Sequence, residues 1–277
     1  MKDLLVVGEN SVIGSALLDA ASARCLSVEG TSRRNGGLDL ADAASVARFH
    51  LQATRTAVIC AAVASLSACE RAPERALAVN VTGTLALAQR LRNFGIHPIA
   101  LSTNLVFGGD KACCGTSDVV SPKTSYGRQK AEMERGILAL GGTVLRLTKV
   151  LSQTSVMFRQ WRDNLALGQP INAFCDMYMA PIPLPRVTAA LLALIRAPRP
   201  GLVQLSADRD ISYAQAASFI CCGVGADLAL VRPVSAPTEI ALEARPQHTT
   251  LDTTEATVWL GWRAIAPEDT LAEVFLV

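Results

Sequence analysis

Two residues that could protonate a carbonyl oxygen lie four positions apart, Tyr126 and Lys130 in the run SPKTSYGRQKAEME. Positions i and i+4 share one face of a helix, so this spacing brings the phenol and the ammonium into one site. An ammonium close to a tyrosine favours the phenolate and lowers the pKa of the phenol from about 10 toward neutral pH. Because alkoxide charge develops on oxygen when a carbonyl is reduced, the pair predicts the proton donor of a carbonyl reductase.

A turn near the N-terminus has the composition of a dinucleotide-binding loop. An apolar strand over residues 4–7 is followed by Gly8 and Gly14, and a helix begins at about Val12. Glycine lets the backbone approach a pyrophosphate, whose charge is favoured by the N–H groups and the dipole at the helix start. Ser11 replaces the middle glycine of a G-x-x-G-x-x-G spacing. Its side chain is small enough for the loop, and its hydroxyl could donate a hydrogen bond to phosphate.

The residues after the second predicted strand indicate which dinucleotide is bound. This strand, over residues 27–31, is followed by Ser32, Arg33 and Arg34. An NAD site usually places an acid here to bind the ribose 2′-hydroxyl, whereas an arginine suits a 2′-phosphate. We therefore expect NADP(H) in preference to NAD(H). The alternative is that the two arginines are solvated loop residues.

Alternating elements in the first part of the chain must position these residues. Apolar, strand-like runs lie at residues 4–7, 27–31, 57–60, 97–102 and 143–147. Helical runs lie between them, at residues 12–23, 42–52, 74–93 and 126–140. The alternation predicts an α/β fold with a doubly wound parallel Rossmann sheet, whose active site lies at the carboxyl ends of the strands.

The pattern loosens after residue 151, which predicts a division of the chain. We expect residues 1–150 to form an NADP-binding Rossmann domain. Residues 151–277 are expected to form mostly a smaller substrate-binding lobe, which includes a helix over 157–167. Segments near 180–198 and 245–255 are expected to return to the Rossmann domain.

Several motifs that follow one another in a fixed order are more specific than any one of them. In chain order they are GENSVIG, LDLAD, VICAAVAS, PERALAVNVTGTLALA, LSTNLVFGG, SYGRQKAEME, VLRLT, and ARPQHTTLDTTEA followed by LGW. With these motifs the chain resembles the extended short-chain dehydrogenases/reductases, and within them the nucleotide-sugar reductases typified by dTDP-4-dehydrorhamnose reductase. The resemblance covers nearly the whole chain, and its last motif favours the reductase branch.

The resemblance implies a catalytic set of Thr103, Tyr126 and Lys130. Thr103, at the end of the strand over 97–102, would orient the substrate carbonyl, while Tyr126 would donate its proton as hydride reaches the carbon. Lys130 would bind the nicotinamide ribose and tune the tyrosine. Ser102 is an alternative to Thr103, but neighbouring strand residues point to opposite faces, so only one of the two hydroxyls can serve.

The resemblance also implies which residues contact the cofactor. The diphosphate would lie against Gly8, Ser11, Val12, Ile13 and Gly14. The 2′-phosphate would lie against Arg33 and Arg34, the adenine against Asp39 and Leu40, and the ribose side against Ala61, Ala62 and Val63. Tyr126 and Lys130 complete the set.

Departures from the family pattern concern the substrate. Asn104 and Leu105 follow Thr103, where a dehydratase of this family would carry an acidic pair, so dehydration of a hexose is not expected. Lys149 stands where the family's reductases often have an aromatic residue; it would pair with a substrate phosphate or carboxylate, or remain a surface lysine. The expected substrate-binding set is Asn104, Lys149, Arg159 and Arg162. Solvated helix positions are the alternative for the two arginines.

The predicted function is that of an NADPH-dependent ketoreductase acting on a nucleotide-linked keto-deoxysugar. A nucleotide-sugar epimerase of the same fold is an alternative, and it would retain tightly bound NAD through its cycle. A non-catalytic NADP-binding regulatory subunit is a second alternative, because Ser11, Asn104, Leu105 and Lys149 depart from the family pattern. Stoichiometric consumption of NADPH would separate the reductase from both.

The composition excludes other classes of protein. Half of the 277 residues are hydrophobic, and a net charge of +2 with 5% aromatic residues does not fit a nucleic-acid binder. The uncharged stretches are too short or too polar to span a membrane, and residues 1–20 lack an export signal, so we expect a cytoplasmic protein. The eight cysteines include no C-x-x-C and the three histidines are isolated, so no metal site is expected. The sequence leaves open whether the chain forms a homodimer.

Overall fold

The computed structural model describes residues 2–35, 37–237 and 245–276, and strands alternate with helices along most of its length. Within these ranges, no helix is both long and apolar enough to cross a lipid bilayer. The chain divides into two units. The first comprises Met1–Val106, Val120–Arg146 and Val187–Val203, and the second comprises Phe107–Val119, Leu147–Arg186 and Gln204–Val277.

The elements are numbered in chain order. The strands are β1 (Lys2–Val7), β2 (Val28–Thr31), β3 (Thr54–Ile59), β4 (His97–Thr103), β5 (Thr143–Leu147), β6 (Lys149–Leu151), β7 (Ile171–Phe174), β8 (Tyr178–Met179), β9 (Pro181–Pro183), β10 (Gly201–Leu205), β11 (Ile211–Ser212) and β12 (Val231–Val234). The helices are α1 (Val12–Ser22), α2 (Ala43–Arg48), α3 (Leu66–Arg71), α4 (Pro73–Leu77), α5 (Thr84–Asn93), α6 (Ser125–Ala139), α7 (Val156–Ala166), α8 (Leu184–Arg196), α9 (Tyr213–Gly223), α10 (Thr254–Leu260) and α11 (Pro267–Phe275).

One six-stranded sheet has the order β10-β5-β4-β3-β1-β2. β1 pairs in parallel with both β2 and β3, and β3 pairs in parallel with β4. Val7 lies opposite Thr31 on one side and Ile59 on the other, so the loops after these three strands begin at the same edge of the sheet. The parallel order and the intervening helices confirm the predicted doubly wound Rossmann fold.

The interior strand β1 is apolar at consecutive positions because both of its faces are covered. Residues 4–7 are each at most 3% exposed. Leu5 packs in one core cluster with Leu87 of α5 and Ile137 of α6. Burial of each such side chain contributes about 1.5–3 kcal/mol, which holds α6 against the sheet.

The predicted helix over 74–93 is observed as three consecutive segments, α4, a π-helical turn at Ala78–Gly83, and α5. Such turns insert an extra residue and frequently occur at functional sites. Gly83 ends the turn, and its backbone lies close to the backbone of Leu40. A Cβ added at Gly83 would lie 1.8 Å from the Leu40 carbonyl oxygen. A larger residue would push this helix away from the loop that contains Leu40.

Two differences from the predicted elements lie later in the chain. The edge strand β10 is absent from the prediction, because its five residues gain their burial from β5 alongside. Of the segment 180–198 that was expected to return to the first unit, residues 187–198 do so, as part of 187–203. Residues 180–186 and 245–255 group with the second unit instead, and so do residues 107–119 from within the predicted Rossmann domain. The motif ARPQHTTLDTTEA begins at Ala244, which lies outside the described residues.

The second unit has its own small sheets and an aromatic core. β6 pairs in parallel with β9, β7 pairs in parallel with β12, and β8 pairs in antiparallel fashion with β11. Phe158 of α7 stacks on Phe275 of α11 at a ring-centroid distance of 5.6 Å and on Tyr213 of α9 at 6.0 Å. These contacts fix the first turn of α7, which lines a cavity described below.

Candidate active site

Tyr126 and Lys130 share one face of α6, as their spacing predicts. The helix begins cleanly because the Thr124 hydroxyl caps it, accepting a hydrogen bond from the Gly127 N–H at 3.0 Å. The Lys130 ammonium is buried and donates to the carbonyl oxygen of Leu101 at 2.9 Å. It lies 5.9 Å from the centroid of the Tyr126 ring, within cation–π distance.

The pKa values of this pair correct the expectation from sequence. Burial raises the pKa of the Tyr126 phenol, and negative charge on Cys69 raises it further. Burial also lowers the pKa of Lys130 to about 8, and the Glu134 carboxylate opposes that change. The expected lowering of the Tyr126 pKa is therefore wrong for this arrangement, because burial of the phenol raises its pKa.

Thr103 ends β4 and is buried. Its hydroxyl accepts a hydrogen bond from the Leu105 N–H at 3.2 Å and donates to the Asn104 side-chain oxygen at 3.5 Å. The first turn of α6 packs against this loop, since a Cβ added at Gly127 would lie 2.2 Å from the Leu105 carbonyl oxygen. The Ser102 hydroxyl is also buried, and it has no hydrogen-bond partner in the described part of the chain.

A cavity of about 400 Å³ lies at the carboxyl edge of the sheet in the first unit, and we call it the Rossmann cavity. Its walls come from the loops after β1, β2 and β3. The predicted cofactor residues that line it are Gly8, Ser11, Arg33, Arg34, Asp39, Leu40, Ala61, Ala62 and Val63. The other predicted cofactor residues do not line this cavity; they are Val12, Ile13, Gly14, Tyr126 and Lys130. Cys60 lies in the wall of the cavity, and burial raises the pKa of its thiol to about 12. The positive charge of Lys130 is close enough to Cys60 to oppose this rise.

The glycines of the first loop are required by close backbone approaches. Gly8 has a φ of +92°, and a Cβ there would lie 2.5 Å from the Ala61 nitrogen. A Cβ on Gly14 would lie 2.3 Å from the Gly8 carbonyl oxygen. Ser11 has φ −76° and ψ 156°, which any residue adopts, and its hydroxyl caps α1 by accepting from the Gly14 N–H at 3.0 Å. The serine therefore fits the loop without strain and supports the helix start.

Two arginines lie on the rim of the Rossmann cavity. Arg33 and Arg34 are exposed and form no ion pair within the described residues. The Ser32 hydroxyl donates to Glu9 at 3.2 Å and accepts from the Asn10 amide at 2.8 Å, which ties the loops after β1 and β2 together. Both arginines are therefore held on a connected rim with their charges free for a ligand.

Asn80 is a functional candidate that the sequence reasoning missed. Its buried amide accepts from the Val63 N–H at 2.8 Å and donates to the Val63 carbonyl at 3.0 Å. It also donates to the Gln129 side chain at 2.8 Å, next to Lys130 on α6. Asn80 thus joins the wall of the Rossmann cavity to α6. The available signal is a lone amide in the apolar run ALAVNVTG.

A second cavity, of about 320 Å³, lies in the second unit, and Lys149 lines it together with aromatic and apolar side chains. The predicted substrate residues Arg159 and Arg162 do not line it. Arg159 is exposed, and Arg162 pairs with its neighbour Asp163 at 2.7 Å, so these two are not brought to the cavity. Asn104 stays beside Thr103. No group of three or more metal-ligating side chains occurs in the described ranges.

Comparison with known proteins identifies the family of this chain. The family model described as RmlD substrate binding domain matches residues 1–275. A probable low-salt glycan biosynthesis reductase of Haloferax volcanii is 30% identical over 222 residues, which are 77% of this chain and 74% of that protein. The dTDP-4-keto-6-deoxy-D-glucose reductase of Streptomyces niveus is 28% identical over 253 residues, 89% of this chain and 87% of that protein.

Among solved structures, the dTDP-4-dehydrorhamnose reductase of Bacillus anthracis in complex with NADP has the same fold. Its TM-score is 0.87 at 18% identity, and the match covers 100% of this chain and 99% of that one. The resemblance inferred from the motifs is thereby confirmed: the chain belongs to the RmlD substrate binding domain family, within the extended short-chain dehydrogenases/reductases.

Proposed function

We propose that this chain is an NADPH-dependent ketoreductase that reduces a keto group on a nucleotide-linked deoxysugar. The proposal rests mainly on one observation. The Lys130 ammonium donates a hydrogen bond to the Leu101 carbonyl oxygen of β4 and lies 5.9 Å from the centroid of the Tyr126 ring, in the same unit as the Rossmann cavity. The names of the relatives from Haloferax volcanii and Streptomyces niveus, both reductases, support the same reaction class.

The residues of the Rossmann cavity fit a dinucleotide. Gly8 leaves bare backbone where a Cβ would meet Ala61, so a pyrophosphate can approach the first loop and the start of α1. Arg33 and Arg34 on the rim offer charge to a 2′-phosphate, and no acid in the described residues pairs with either. Asp39 is less suited to bind ribose, because its carboxylate accepts from the Ala41 N–H at 2.9 Å within its own turn.

The catalytic residues have distinct tasks in this proposal. When bound, the reduced nicotinamide supplies a hydride to the carbonyl carbon of the substrate. Tyr126, like any phenol, holds its proton at neutral pH, and burial raises its pKa further, so the proton is available for the developing alkoxide. Thr103 orients the carbonyl oxygen with its hydroxyl, and Lys130 holds the nicotinamide ribose with positive charge beside Tyr126.

An epimerase and a non-catalytic subunit are the rival functions. The uncompensated arginines on the rim favour an exchangeable NADPH over the permanently bound NAD of an epimerase. The Ser11 departure no longer argues for a non-catalytic subunit, since Ser11 caps α1 and leaves the Gly8 approach intact.

The test is NADPH oxidation by purified protein against a panel of nucleotide-linked 4-keto-6-deoxysugars. We expect one substrate to consume NADPH stoichiometrically. The Tyr126→Phe variant should lose at least about 10²-fold in turnover while its NADPH affinity stays within about twofold, because the ring remains and the proton donor does not. Unchanged turnover in Tyr126→Phe would reject the assigned acid.

A further inference from the structure

Gln129 of α6 is a buried polar residue that the proposed proton transfer does not use. Its side chain is 5% exposed, although it directly precedes Lys130 in the chain. The side-chain oxygen of Gln129 accepts a hydrogen bond from the Asn80 amide at 2.8 Å. The side-chain amide donates to the carbonyl oxygen of Pro73 at 3.1 Å. Both polar ends of the side chain therefore have partners, as burial requires.

The two partners of Gln129 lie on either side of an irregular stretch of helix. Pro73 begins α4, and Asn80 lies in the π-helical turn Ala78–Gly83 that follows α4. A turn of this type is rare and is often retained at functional sites. By bonding to Pro73 and to Asn80, Gln129 ties the start of α4 to the turn and supports the backbone that presents Asn80.

Asn80 in turn holds one residue in the wall of the Rossmann cavity. Val63 lines that cavity and lies in the segment 60–65, which forms neither helix nor strand. The Val63 N–H donates to the Asn80 side chain at 2.8 Å, and the Val63 carbonyl oxygen accepts from the Asn80 amide at 3.0 Å. The Cys69 thiol donates to the same carbonyl oxygen at 3.2 Å. Side chains, rather than a strand ladder, therefore hold Val63 in place.

We propose that Gln129 is a positioning residue for the cofactor, which acts through Asn80 to hold Val63 in the conformation that NADP(H) requires. This inference rests on the proposed function, since it assigns the Rossmann cavity to the dinucleotide. Gln129 itself does not line the cavity. The helix α6 is anchored separately by the hydrogen bond from Lys130 to Leu101. Loss of the Gln129 amide should therefore loosen the cavity wall without displacing the helix.

The test compares the wild type with Gln129→Met, Asn80→Ala, the double variant and one control. Methionine has nearly the length of glutamine but no amide, so Gln129→Met removes both hydrogen bonds and keeps the packing. The control is Gln204→Met in the second unit. Gln204 is also fully buried, and its amide donates to the carbonyl oxygens of Cys114 and Asp252 at 2.9 Å each. The control therefore loses a comparable glutamine away from the Rossmann cavity. Circular dichroism of each variant checks that it is folded.

The first measurement is hydrogen exchange at the Val63 N–H, followed by NMR of cofactor-free protein with isotope-labelled valine. Exchange reports how often the bond from Val63 to Asn80 opens. We expect exchange to be about tenfold faster in Gln129→Met, because the Asn80 amide has lost a buried partner. Asn80→Ala should exchange at least as fast, and Gln204→Met should match the wild type. Unchanged exchange at Val63 in folded Gln129→Met would overturn the proposal.

The second measurement is fluorescence titration with NADPH. Gln129→Met should bind NADPH about tenfold more weakly, and Asn80→Ala should lose at least as much. Because Gln129 acts through Asn80, the double variant should bind no more weakly than Asn80→Ala. Losses that multiply in the double variant, or an equal loss in Gln204→Met, would overturn the proposal. Wild-type binding that Gln129→Met leaves intact would overturn this inference alone, whereas a wild type that binds no NADPH would overturn the proposed function as well.

Discussion

The buried ion pair between α6 and β5 offers a quantitative test of how α6 is held in place. Glu134 of α6 and Arg146 of β5 form two parallel hydrogen bonds of 2.9 and 2.7 Å, with side-chain exposures of 4% and 3%. Removing one partner of such a pair costs about 3–5 kcal/mol, because a buried charge loses its counter-charge. Glu134→Gln should therefore lower the melting temperature by on the order of 10 °C.

The same change should alter the active site. The Glu134 carboxylate raises the pKa of Lys130 against the effect of burial. In Glu134→Gln that support is lost, so the pKa of Lys130 falls below its value of about 8. The alkaline limb of the pH–rate profile should then move to lower pH, in addition to the loss of stability.

Calorimetric melting curves of four proteins test the stability prediction. The double variant Glu134→Leu/Arg146→Met should recover most of the lost stability, since it leaves neither charge buried. The control Glu273→Gln breaks the exposed Arg186–Glu273 pair, whose side chains are 42% and 36% exposed, and should cost less than about 1 kcal/mol. If Glu134→Gln costs no more than this control, or if the double variant is as unstable as the single one, the buried pair does not hold the helix.

Three other outcomes are expected at the active site. Arg33→Ala should weaken NADPH binding by roughly tenfold or more and NADH binding little; equal weakening in fluorescence titrations would reject the 2′-phosphate role. Thr103→Val should slow turnover by about 10²-fold, whereas Ser102→Ala should stay near the wild type; the reverse order in steady-state rates would assign the hydroxyl to Ser102. The turnover rate should fall as pH rises through about 8, because Lys130 loses its charge there. If a slower Lys130→Met variant still shows this fall in rate at alkaline pH, another group must be titrating.

The sequence alone predicted the parts of the molecule that depend on periodicity and chain order. Apolar runs such as residues 4–7 are buried on both faces, so their pattern identifies parallel strands directly. The spacing of Tyr126 and Lys130 predicted their common face, since helix geometry fixes it. The edge strand β10 escaped prediction because five residues at the edge of a sheet gain their burial from their neighbour β5.

The sequence was less informative about properties that arise from packing. The pKa of Tyr126 is raised because the surrounding fold buries the phenol, and no local spacing reports that burial. Arg159 and Arg162 lie on the predicted helix but do not line the cavity that Lys149 lines, and the sequence does not report which face of that helix meets the cavity. The bonds from Asn80 to Val63 and Gln129 join segments far apart in the chain, so they become visible only in three dimensions.

The most direct test of the proposed reaction follows hydride from the cofactor to the product. NADPH deuterated at C4, in each of its two stereochemical forms, is incubated with the enzyme and a nucleotide-linked keto-deoxysugar that it turns over. We predict that one form places one deuterium on the carbinol carbon for each NADPH oxidised, while the other places none. A product that forms without NADPH oxidation, or without deuterium from either form, would contradict the reductase assignment and favour an epimerase.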